Sequence, residues 1–370
     1  MLKKSPNKNK KIIVAPLNWG LGHATRCIPI IRDLITKNFI PIIASDGDAL
    51  ELLQLEFPDL KSYELPAYNI QYTKNGKFLK YKLLFDTPKY LKTIAKEQQV
   101  IDEIIKKENI KGIISDNRFG LRSNKVPSVY ISHQINVLSG NTTFLSSKIH
   151  QNLIAKFDTC WVPDYKGKDN LAGKLSHGSN EKLNLKYIGP ISRFELKTPF
   201  IKEMTRAKKQ DLMVILSGPE PQRSLLENKL LDELKSIQKK VLFVRGLISD
   251  KGKTTKVDLT NNKHIVIVNF MQQKELQTAI TESKIIISRS GYTTIMDLEK
   301  LNARAFFIPT PGQNEQEYLA KRLEQQNIAP FSSQEDFEIG LIENCNNYFG
   351  FTHKKTPKQN KNQFPFDVFH

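Results

Sequence analysis

Short apolar strands alternate with helical segments along almost the whole chain, and this alternation limits the fold more than any other feature. The first run of strands begins with KIIVAP at residues 11–16, and a second run begins with DLMVILSG at 211–218. Strands that are apolar on both faces and alternate with helices are typical of parallel sheets with helices packed on both sides. The sequence therefore predicts an α/β fold with two doubly wound, Rossmann-like domains and a cleft between them.

The two runs meet where the alternation loosens, in the proline-containing stretch YIGPISRFELKTPF at 187–200. We therefore expect one domain over 12–190 and a second over 191–345. Lysine is concentrated at the two ends of the chain, at 1–11 and 346–370. Charged ends of this kind are typical of disorder, so a basic disordered N-terminus and a basic flexible tail are expected there.

The charge of the chain indicates the class of its partners. The 370 residues carry a formal net charge of +18, an excess that favours nucleic acid, an anionic lipid surface or a phosphate-rich substrate. No apolar run reaches the roughly 18 residues that cross a bilayer. The three cysteines lie far apart, in neither a disulfide nor a zinc-binding pattern, so we expect a protein of the reducing cytoplasm.

In open parallel sheets, ligands bind at the carboxyl ends of the strands, so the loops after the strands are informative. The strand KIIIS is followed closely by Ser290 and Gly291, and a helical pattern begins at once. The amides of Tyr292 and Thr293 favour an anion, because they lack intrahelical partners and lie at the positive end of the helix dipole. Asp297 falls on the same helical face as Thr293, within reach of a sugar diol beside a phosphate. The alternative is an ordinary helix cap with an acidic residue that complements the dipole.

The next strand-to-helix loop, FIPTPGQNEQEY at 307–318, is rich in amides and carboxylates. Gln313, Gln316 and Glu317 together supply donors and acceptors at a helix start, which suits the hydroxyls of a sugar. The alternative is a polar, well-capped surface helix. Consecutive units place their loops side by side at one sheet edge. An anion-binding loop beside a hydroxyl-binding loop predicts a nucleotide-sugar site.

The order ISRSGYTTIMD followed by FIPTPGQNEQEYLA resembles the C-terminal donor domain of the family 28 glycosyltransferases. This family has the GT-B fold, with an N-terminal domain for the acceptor and a C-terminal domain for a UDP-sugar. The resemblance implies a UDP-sugar-dependent hexosyltransferase that moves a sugar, N-acetylglucosamine or a relative, from UDP to an acceptor hydroxyl. It implies an acceptor on a lipid-linked or cell-envelope glycan. We expect no metal and no other cofactor, because the carboxylates are spread out along the sequence and a helix end with an arginine can replace Mg²⁺.

The resemblance also implies roles for single residues. Phe270 and Met271 match the pair that frames the uracil base, and Arg193 matches an arginine that approaches the diphosphate. Asp297 stands where the family has a glutamate on the ribose hydroxyls. Glu317 replaces the second of two sugar-reading glutamines, which leaves the identity of the sugar open. The other donor-side positions are in the loops and helix starts: Gly218, Ser290, Gly291, Tyr292, Thr293, Gln313 and Gln316.

The N-terminal half has its own informative loop, NWGLGHATR at 18–26. Gly20 and Gly22 permit a tight turn, and His23 at the helix start can act as a general base whose pKa is lowered by the positive helix end. The alternative is a loop histidine that only bonds to the backbone. Family 28 enzymes carry a glycine-rich GGH loop in this position, and the fuller GLGHATR form also resembles a group of predicted glycosyltransferases and the UDP-sugar hydrolases of pseudaminic acid synthesis. Asp116, at a strand end in SDNRFG, is a second candidate base, with a simple cap as the alternative.

The segment SHQIN at 132–136 resembles the HEQN segment on the acceptor side of the family. This resemblance implies that His133 or Asn136 faces the acceptor.

Two competing interpretations concern the same loops. Gly20 and Gly22 after the first strand, with Asp46 at the end of the second, mimic a dinucleotide-binding fingerprint. Thr25 and Arg26 stand in place of its third glycine, so a nicotinamide or flavin enzyme rests on a partial match. A UDP-sugar hydrolase or epimerase of the same fold is the other interpretation, because water can replace the acceptor.

A third interpretation concerns the basic and aromatic stretch at 74–96, which contains seven lysines. Such a stretch can lie on an anionic membrane, which would hold the protein at the inner face of the cell membrane, or it can be a solvated helix. A non-catalytic basic protein bound to a membrane or to RNA therefore stays open. No helix-turn-helix, RNA-recognition or zinc module is present in the sequence, so we expect no specific nucleic-acid partner.

Overall fold

The computed structural model describes residues 9–70, 85–178, 182–195, 208–247, 256–257, 263–353 and 364–370. The chain divides into two compact units, and the division in the linker falls between Ile191 and Ser192. Of the described residues, the first unit holds those up to Ile191 together with 364–370. The second unit holds those from Ser192 to His353.

The first unit is built on a parallel sheet. Its described strands are β1 (Lys11–Pro16), β2 (Ile40–Ser45), β3 (Ser62–Glu64), β4 (Ile110–Asp116), β5 (Ser128–Ile131), β6 (Thr159–Val162) and β7 (Leu185–Tyr187), in the order β3-β2-β1-β4-β5-β6-β7. All neighbouring strands are parallel. The winding direction reverses between β1 and β4, and ligands bind at the carboxyl ends of such a pair.

Helices cover this sheet and complete its core. The described helices are α1 (Gly22–Thr36), α2 (Gly47–Glu56), α3 (Thr87–Glu108) and α4 (Thr143–Ile154). Residues 12–15 of β1 are fully buried, as expected of a central parallel strand. Ile101, Ile104 and Ile105 form the apolar stripe of α3 that packs into the same core. The sheet therefore holds the loops after β1 and β4 on a rigid base.

The second unit is built on a similar sheet. Its described strands are β8 (Gln210–Ile215), β9 (Val241–Val244), β10 (Lys256–Val257), β11 (Ile265–Val268), β12 (Ser283–Ser288) and β13 (Ala305–Phe307), in the order β10-β11-β9-β8-β12-β13. Its described helices are α5 (Gln222–Leu234), α6 (Gln273–Thr281), α7 (Tyr292–Lys300) and α8 (Asn314–Gln325). The short edge strand β10 is antiparallel, and the other pairs are parallel. The winding reverses between β8 and β12, and the predicted α/β fold with two Rossmann-like sheets is confirmed.

The last residues of the chain return to the first unit. The ring of Phe366 lies 5.8 Å from that of Trp161 and 5.7 Å from that of Phe39. Phe369 is also buried, and its backbone carbonyl accepts a hydrogen bond from Lys10 at 3.1 Å. The segment 364–370 is therefore packed into the first unit.

This packing differs from the flexible tail expected at 346–370. Phe351 is buried in the second unit, and 364–370 is packed as described above. The lysine content of the tail indicates disorder, but the aromatic residues of FPFDVFH bury apolar area, and in that segment burial outweighs the charge.

At the other end of the chain, residues 1–8 of the expected basic N-terminus lie outside the described residues. Lys11 is the first residue of β1. Of the basic stretch at 74–96, residues 74–84 also lie outside the described part. Among the helices that the structure describes, none has both the length and the apolar character that a membrane span requires.

Candidate active site

The carboxyl ends of β1 and β4 bring a histidine and an aspartate into contact. Gly20 turns the chain with a positive φ of 74°, Gly22 opens α1, and His23 is in its first turn. Asp116 is the last residue of β4 and is fully buried. The Nδ1 atom of His23 lies 2.8 Å from Oδ1 of Asp116. The two candidate bases thus form one pair at the position where the winding of the sheet reverses.

A third residue, Arg26, lies about one helical turn after His23 and binds the aspartate through two nitrogen atoms. Its Nε and Nη2 atoms donate to Oδ2 and Oδ1 of Asp116, and the residue is 1% exposed. Such a bidentate pair is charge-assisted and fixes the plane of the carboxylate. Arg26 therefore holds Asp116 in the orientation in which it meets His23.

The Nδ1 atom of His23 has two polar neighbours at the same distance. Nη2 of Arg26 and Oδ1 of Asp116 both lie 2.8 Å from it. A guanidinium only donates and an ionised carboxylate only accepts, so the tautomer decides between them. We assign the proton to Nδ1, because its bond to the carboxylate is charge-assisted and Nη2 already donates to that carboxylate. This tautomer leaves Nε2 with a lone pair.

Burial and neighbouring charges set the protonation states of this pair. Burial lowers the pKa of His23, and the Arg26 guanidinium lowers it further, against an opposing effect of Asp116. Burial raises the pKa of Asp116, but Arg26 and His23 outweigh it and bring this pKa to about 2. At neutral pH the histidine is therefore neutral and the aspartate ionised. An aspartate with so low a pKa is a poor proton acceptor, so the structure favours His23 over Asp116 as the base.

Arg26 has a part in this cluster that the sequence motifs do not indicate. The spacing could have indicated it, because Arg26 is three residues after His23 and the two side chains therefore share one face of α1. The partner of Arg26, Asp116, is 90 residues away, and no local pattern connects the two.

The segment SHQIN contributes one of its two candidate residues to this cluster. His133 is 5% exposed, and its Nδ1 atom lies 3.5 Å from Nη1 of Arg26. Asn136 lies elsewhere, and its side-chain nitrogen donates to the carbonyls of Lys174 at 2.7 Å and His177 at 3.0 Å. The amide nitrogen of Asn136 thus ties two loops together, a structural role, whereas His133 lies beside the cluster.

Asp46, which a dinucleotide site would use on a ribose, has other partners. Its Oδ1 atom accepts from Arg118 at 2.6 Å, and its Oδ2 atom accepts from Asn18 at 3.2 Å. Arg118 is fully buried and also donates to Glu97 at 2.6 Å. Both oxygens of Asp46 are therefore engaged in a buried ionic network, which disfavours the nicotinamide or flavin interpretation.

In the second unit, the loops after β8 and β12 border open space. A β-carbon added to Gly291 would have Thr294 Oγ1 as its nearest neighbour among the described residues outside the adjacent backbone, at 4.0 Å. One added to Gly218 would meet no described atom within 4 Å. The buried hydroxyl of Ser290 donates to the carbonyl of Gln316 at 2.8 Å. The loop after β12 and the start of α8 are therefore neighbours at this edge.

The start of α7 has the form of an anion site. Gly291 is the residue before the helix, and Tyr292 and Thr293 are its first two residues. No side-chain hydrogen bond from the residue before the helix caps it. Backbone amides in the first turn lie at the positive end of the helix dipole and attract anions. Gly291 has no side chain, so a side-chain cap from that position is absent.

Gln316 and Glu317, which the family resemblance assigns to the sugar, bond to their own loop. Oε1 of Gln316 accepts from the amide of Thr310 at 2.9 Å, and Oε1 of Glu317 accepts from the amide of Gly312 at 3.0 Å. Gln313 is the residue immediately before α8. At these positions the structure shows the contacts expected of a well-ordered polar helix start.

Two candidate residues from distant parts of the chain are in contact. Nε of Arg193 lies 3.3 Å from Oδ2 of Asp297. Burial raises the pKa of Asp297, against a lowering effect of Arg193. Phe270 and Met271 follow β11, and Phe270 is buried while Met271 is half-buried.

The two sheet edges offer different chemistry. The first unit presents a neutral imidazole whose Nε2 atom can accept a proton. The second unit presents a helix start and an arginine that can bind an anion. Within the described ranges, no group of three His, Cys, Asp or Glu side chains could hold a metal ion. A proton acceptor and an anion site are the parts needed to transfer a group from an anionic leaving group.

Comparison with known sequences agrees with this chemistry. Residues 199–368 match the glycosyltransferase family 28 C-terminal domain. The UDP-N-acetylglucosamine--N-acetylmuramyl-(pentapeptide) pyrophosphoryl-undecaprenol N-acetylglucosamine transferase of Buchnera aphidicola is 28% identical over 224 residues, which cover 59% of this chain and only 56% of that protein. An uncharacterized glycosyltransferase of Methanopyrus kandleri is 21% identical over 307 residues, which cover 80% of this chain and 85% of that protein.

Solved structures of low sequence identity share the fold. MurG of Acinetobacter baumannii superposes with a TM-score of 0.51 at 14% identity, over 93% of each chain. A UDP-glucosyltransferase of Polygonum tinctorium capable of glucosylating indoxyl superposes with a TM-score of 0.59 at 10% identity, over 94% of this chain and 91% of that one. The resemblance to family 28 and the GT-B fold are both confirmed. The chain therefore has the GT-B fold, and its residues 199–368 are similar to the family 28 glycosyltransferase C-terminal domain at the level of distant homology.

Proposed function

We propose that this protein transfers a sugar from a UDP-sugar to the hydroxyl group of an acceptor. The observation that carries the proposal is the contact between His23 and the ionised Asp116 at the ends of β1 and β4. An imidazole whose Nδ1–H is held by a carboxylate has Nε2 available as a general base. The helix start at Gly291 and the guanidinium of Arg193 supply an anion site for a departing diphosphate.

His23 accepts the proton in the proposed reaction. The acceptor oxygen forms a bond to the anomeric carbon, its proton passes to Nε2 of His23, and the bond between the anomeric carbon and the diphosphate oxygen breaks. The transition state has oxocarbenium character, as in glycoside hydrolysis. Asp116 stabilises the imidazolium that forms, and Arg26 keeps Asp116 ionised and oriented. The imidazolium then releases the proton to solvent.

The donor is proposed to bind the second unit. The amides of Tyr292 and Thr293 hold the diphosphate, and Phe270 and Met271 flank the base. The rest of the donor site is assigned to neighbouring loop residues, namely Gly218, Ser290, Gln313, Gln316 and Glu317. UDP-N-acetylglucosamine is the first donor to test, because the name of the relative from Buchnera aphidicola includes it.

The acceptor is proposed to be a glycan or a lipid-linked molecule at the inner face of the cell membrane. We propose that it binds beside Gly20, Gly22 and His133. Exposed apolar side chains of the first unit support a peripheral contact with anionic lipid. Phe85, just before α3, is 87% exposed, and Phe144 on α4 is 81% exposed. Lysines are frequent in the first turns of α3, and each basic residue near an anionic membrane adds about 1 kcal/mol of attraction.

A UDP-sugar hydrolase is the second candidate, because the side chain of His23 is only 12% exposed. A water molecule reaches so enclosed an imidazole more readily than a large acceptor does. In that reaction the water oxygen bonds to the anomeric carbon, Nε2 of His23 takes a water proton, and the bond between the anomeric carbon and the diphosphate oxygen breaks, which releases UDP.

The test is release of UDP from a panel of UDP-sugars by the purified full-length protein, with and without a membrane extract as the source of acceptor. A transferase releases UDP faster when the extract is present, and a hydrolase releases it at the same rate without the extract. Thermal stabilisation by UDP, GDP and NAD is measured in parallel. Stabilisation by NAD but not by UDP, with no UDP released from any donor, would overturn both candidates.

A further inference from the structure

Asp297 lies in the second turn of α7, and both oxygens of its carboxylate are already engaged. Oδ1 accepts a hydrogen bond from the hydroxyl of Ser192 at 2.6 Å. Oδ2 lies 3.3 Å from Nε of Arg193, within the distance of an ion pair. Asp297 itself is 5% exposed. A ribose diol needs free acceptor positions, so binding it here would require these bonds to break.

The partners of Asp297 belong to a short segment, 192–195, that is fixed to the second unit at several points. Side chains on α6 hold its backbone: Gln273 donates to the carbonyl of Arg193, and Gln277 donates to the carbonyl of Glu195 at 2.8 Å. Phe194 is 2% exposed, and its ring lies 5.1 Å from the guanidinium carbon of Arg193. The Arg193 side chain therefore starts from a fixed backbone.

The contact with Asp297 involves the Nε side of the Arg193 guanidinium and does not involve Nη1 and Nη2. Among the described residues, neither Nη1 nor Nη2 of Arg193 has a hydrogen-bond partner. These two nitrogens carry four N–H donors in a planar fork, the arrangement that suits phosphate oxygens. Asp297 is five residues after Tyr292, about 7.5 Å along the helix axis, so the guanidinium is tied to the same short helix whose start binds an anion.

We propose that Asp297 is a positioning residue, which holds Arg193 through Nε and so presents Nη1 and Nη2 to the diphosphate of the donor. The proposal rests on the proposed function, because it assumes that the second unit binds a nucleoside diphosphate. It replaces the ribose contact that the family resemblance implies for this position. The shorter side chain of aspartate, compared with the family's glutamate, fits a contact made within the protein.

The test compares uridine with UDP, because only UDP carries the diphosphate. Affinities of the full-length protein for both ligands are measured by calorimetry for the wild type, Asp297→Asn, Arg193→Ala and the double variant. We expect Asp297→Asn to weaken UDP binding about tenfold, in line with the loss of a charge-assisted contact, and to leave uridine binding within about twofold. In the Arg193→Ala background, Asp297→Asn should add little further loss, since its effect passes through Arg193.

Equal loss of affinity for uridine and UDP in Asp297→Asn would overturn the proposal and indicate a ribose contact. Additive losses of UDP affinity in the double variant would also overturn it. Ser192→Ala is the second variant, because it keeps the carboxylate and removes one bond that orients it; we expect a smaller loss that is again confined to UDP. If the wild type binds neither ligand, the proposed function fails first, and the positioning role falls with it.

Discussion

The edges of the two sheets that we propose to face ligands are built from different groups. At the ends of β1 and β4, charged side chains bind one another, and Arg26 and Asp116 are buried in doing so. At the start of α7 the polar groups are backbone amides beside Gly291, where an added β-carbon would have Thr294 Oγ1 as its nearest described neighbour, at 4.0 Å. The groups at the first edge are paired with one another, whereas the second edge has a helix start at which we propose that an anion binds.

Under the proposed function, the difference follows from the different tasks of a general base and an anion site. A general base needs its protonation state set by neighbouring charges at fixed distances, and buried charges must be paired because desolvation is costly. An anion site needs fixed dipoles, which a helix start supplies without any titrating group. We therefore expect activity and stability to be sensitive to the removal of single charges at the first edge. At the second edge we expect UDP affinity to be sensitive to a single added side-chain carbon.

The largest expected effect is at the base. His23→Gln should lower kcat by about 10²- to 10⁴-fold, the usual contribution of a general base, and leave the affinity for UDP unchanged. Sugar transfer or UDP release and calorimetric UDP binding measure the two quantities. The matched control is His264→Gln, an exposed histidine of the second unit, which should keep full activity. A His23→Gln protein with wild-type turnover would contradict the assignment of the base.

The next effect concerns stability. Arg26→Met leaves the buried carboxylate of Asp116 without its bidentate partner, which should lower the free energy of unfolding by about 3 to 5 kcal/mol. The control is Arg32→Met on the same helix, whose pair with Glu56 is partly exposed and should cost at most about 1 kcal/mol.

Tryptophan fluorescence during urea unfolding measures this difference in the right part of the molecule. Both tryptophans of the chain, Trp19 and Trp161, belong to the first unit, so the signal follows the unit that carries the variants. Equal losses in the two variants would show that the pair with Asp116 is no more important than a surface ion pair.

Sequence patterns predict much of this architecture, because a parallel strand and its loop are local features. The apolar runs identify the strands, and the glycines and the polar residues after them identify the loops that carry His23 and Gly291. The partners of these residues come from far along the chain: Asp116 is 90 residues from Arg26, and Ser192 is 105 residues from Asp297. No local pattern contains such pairs, and the fold alone brings them together.

Two candidate amide side chains make bonds within the protein, and the reason is the same for both. The side chains of Asn136 and Gln316 bond to backbone groups of nearby loops. An amide side chain suits a ligand hydroxyl and a backbone group equally well, so residue type cannot distinguish the two uses. Burial and partner geometry are needed to make that distinction.

The pH dependence of activity is the third prediction. Burial and Arg26 lower the pKa of His23 from its usual 6.5, and the base works in its neutral form, so kcat/KM should fall only as the pH drops below 6.5. A pH profile of kcat/KM measures this decrease. The control is the affinity for a UDP-sugar over pH 6 to 8, which should stay flat because amides and arginine do not titrate there. A decrease of kcat/KM that begins above pH 6.5 would mean that Asp116 raises the pKa of His23 by more than burial and Arg26 lower it.

The smallest expected effect is a single added carbon at the second edge. Gly291 has a φ of −68°, which alanine adopts without strain, and the nearest neighbour of its β-carbon would be 4.0 Å away. Gly291→Ala should therefore change the unfolding free energy by less than about 0.5 kcal/mol. It should nevertheless weaken UDP binding by about three- to tenfold, because the new carbon occupies the space through which a phosphate approaches the amides.

Gly340→Ala is the matched control for this variant. Gly340 is also in the second unit, and a β-carbon there would meet no described atom within 4 Å. It lies in the chain well after α8 and has no part in the proposed donor site, so neither stability nor UDP affinity should change. If Gly291→Ala binds UDP as tightly as Gly340→Ala does, the diphosphate does not approach the start of α7. The proposed diphosphate site would then depend on the charged pair of Arg193 and Asp297 and not on the helix start.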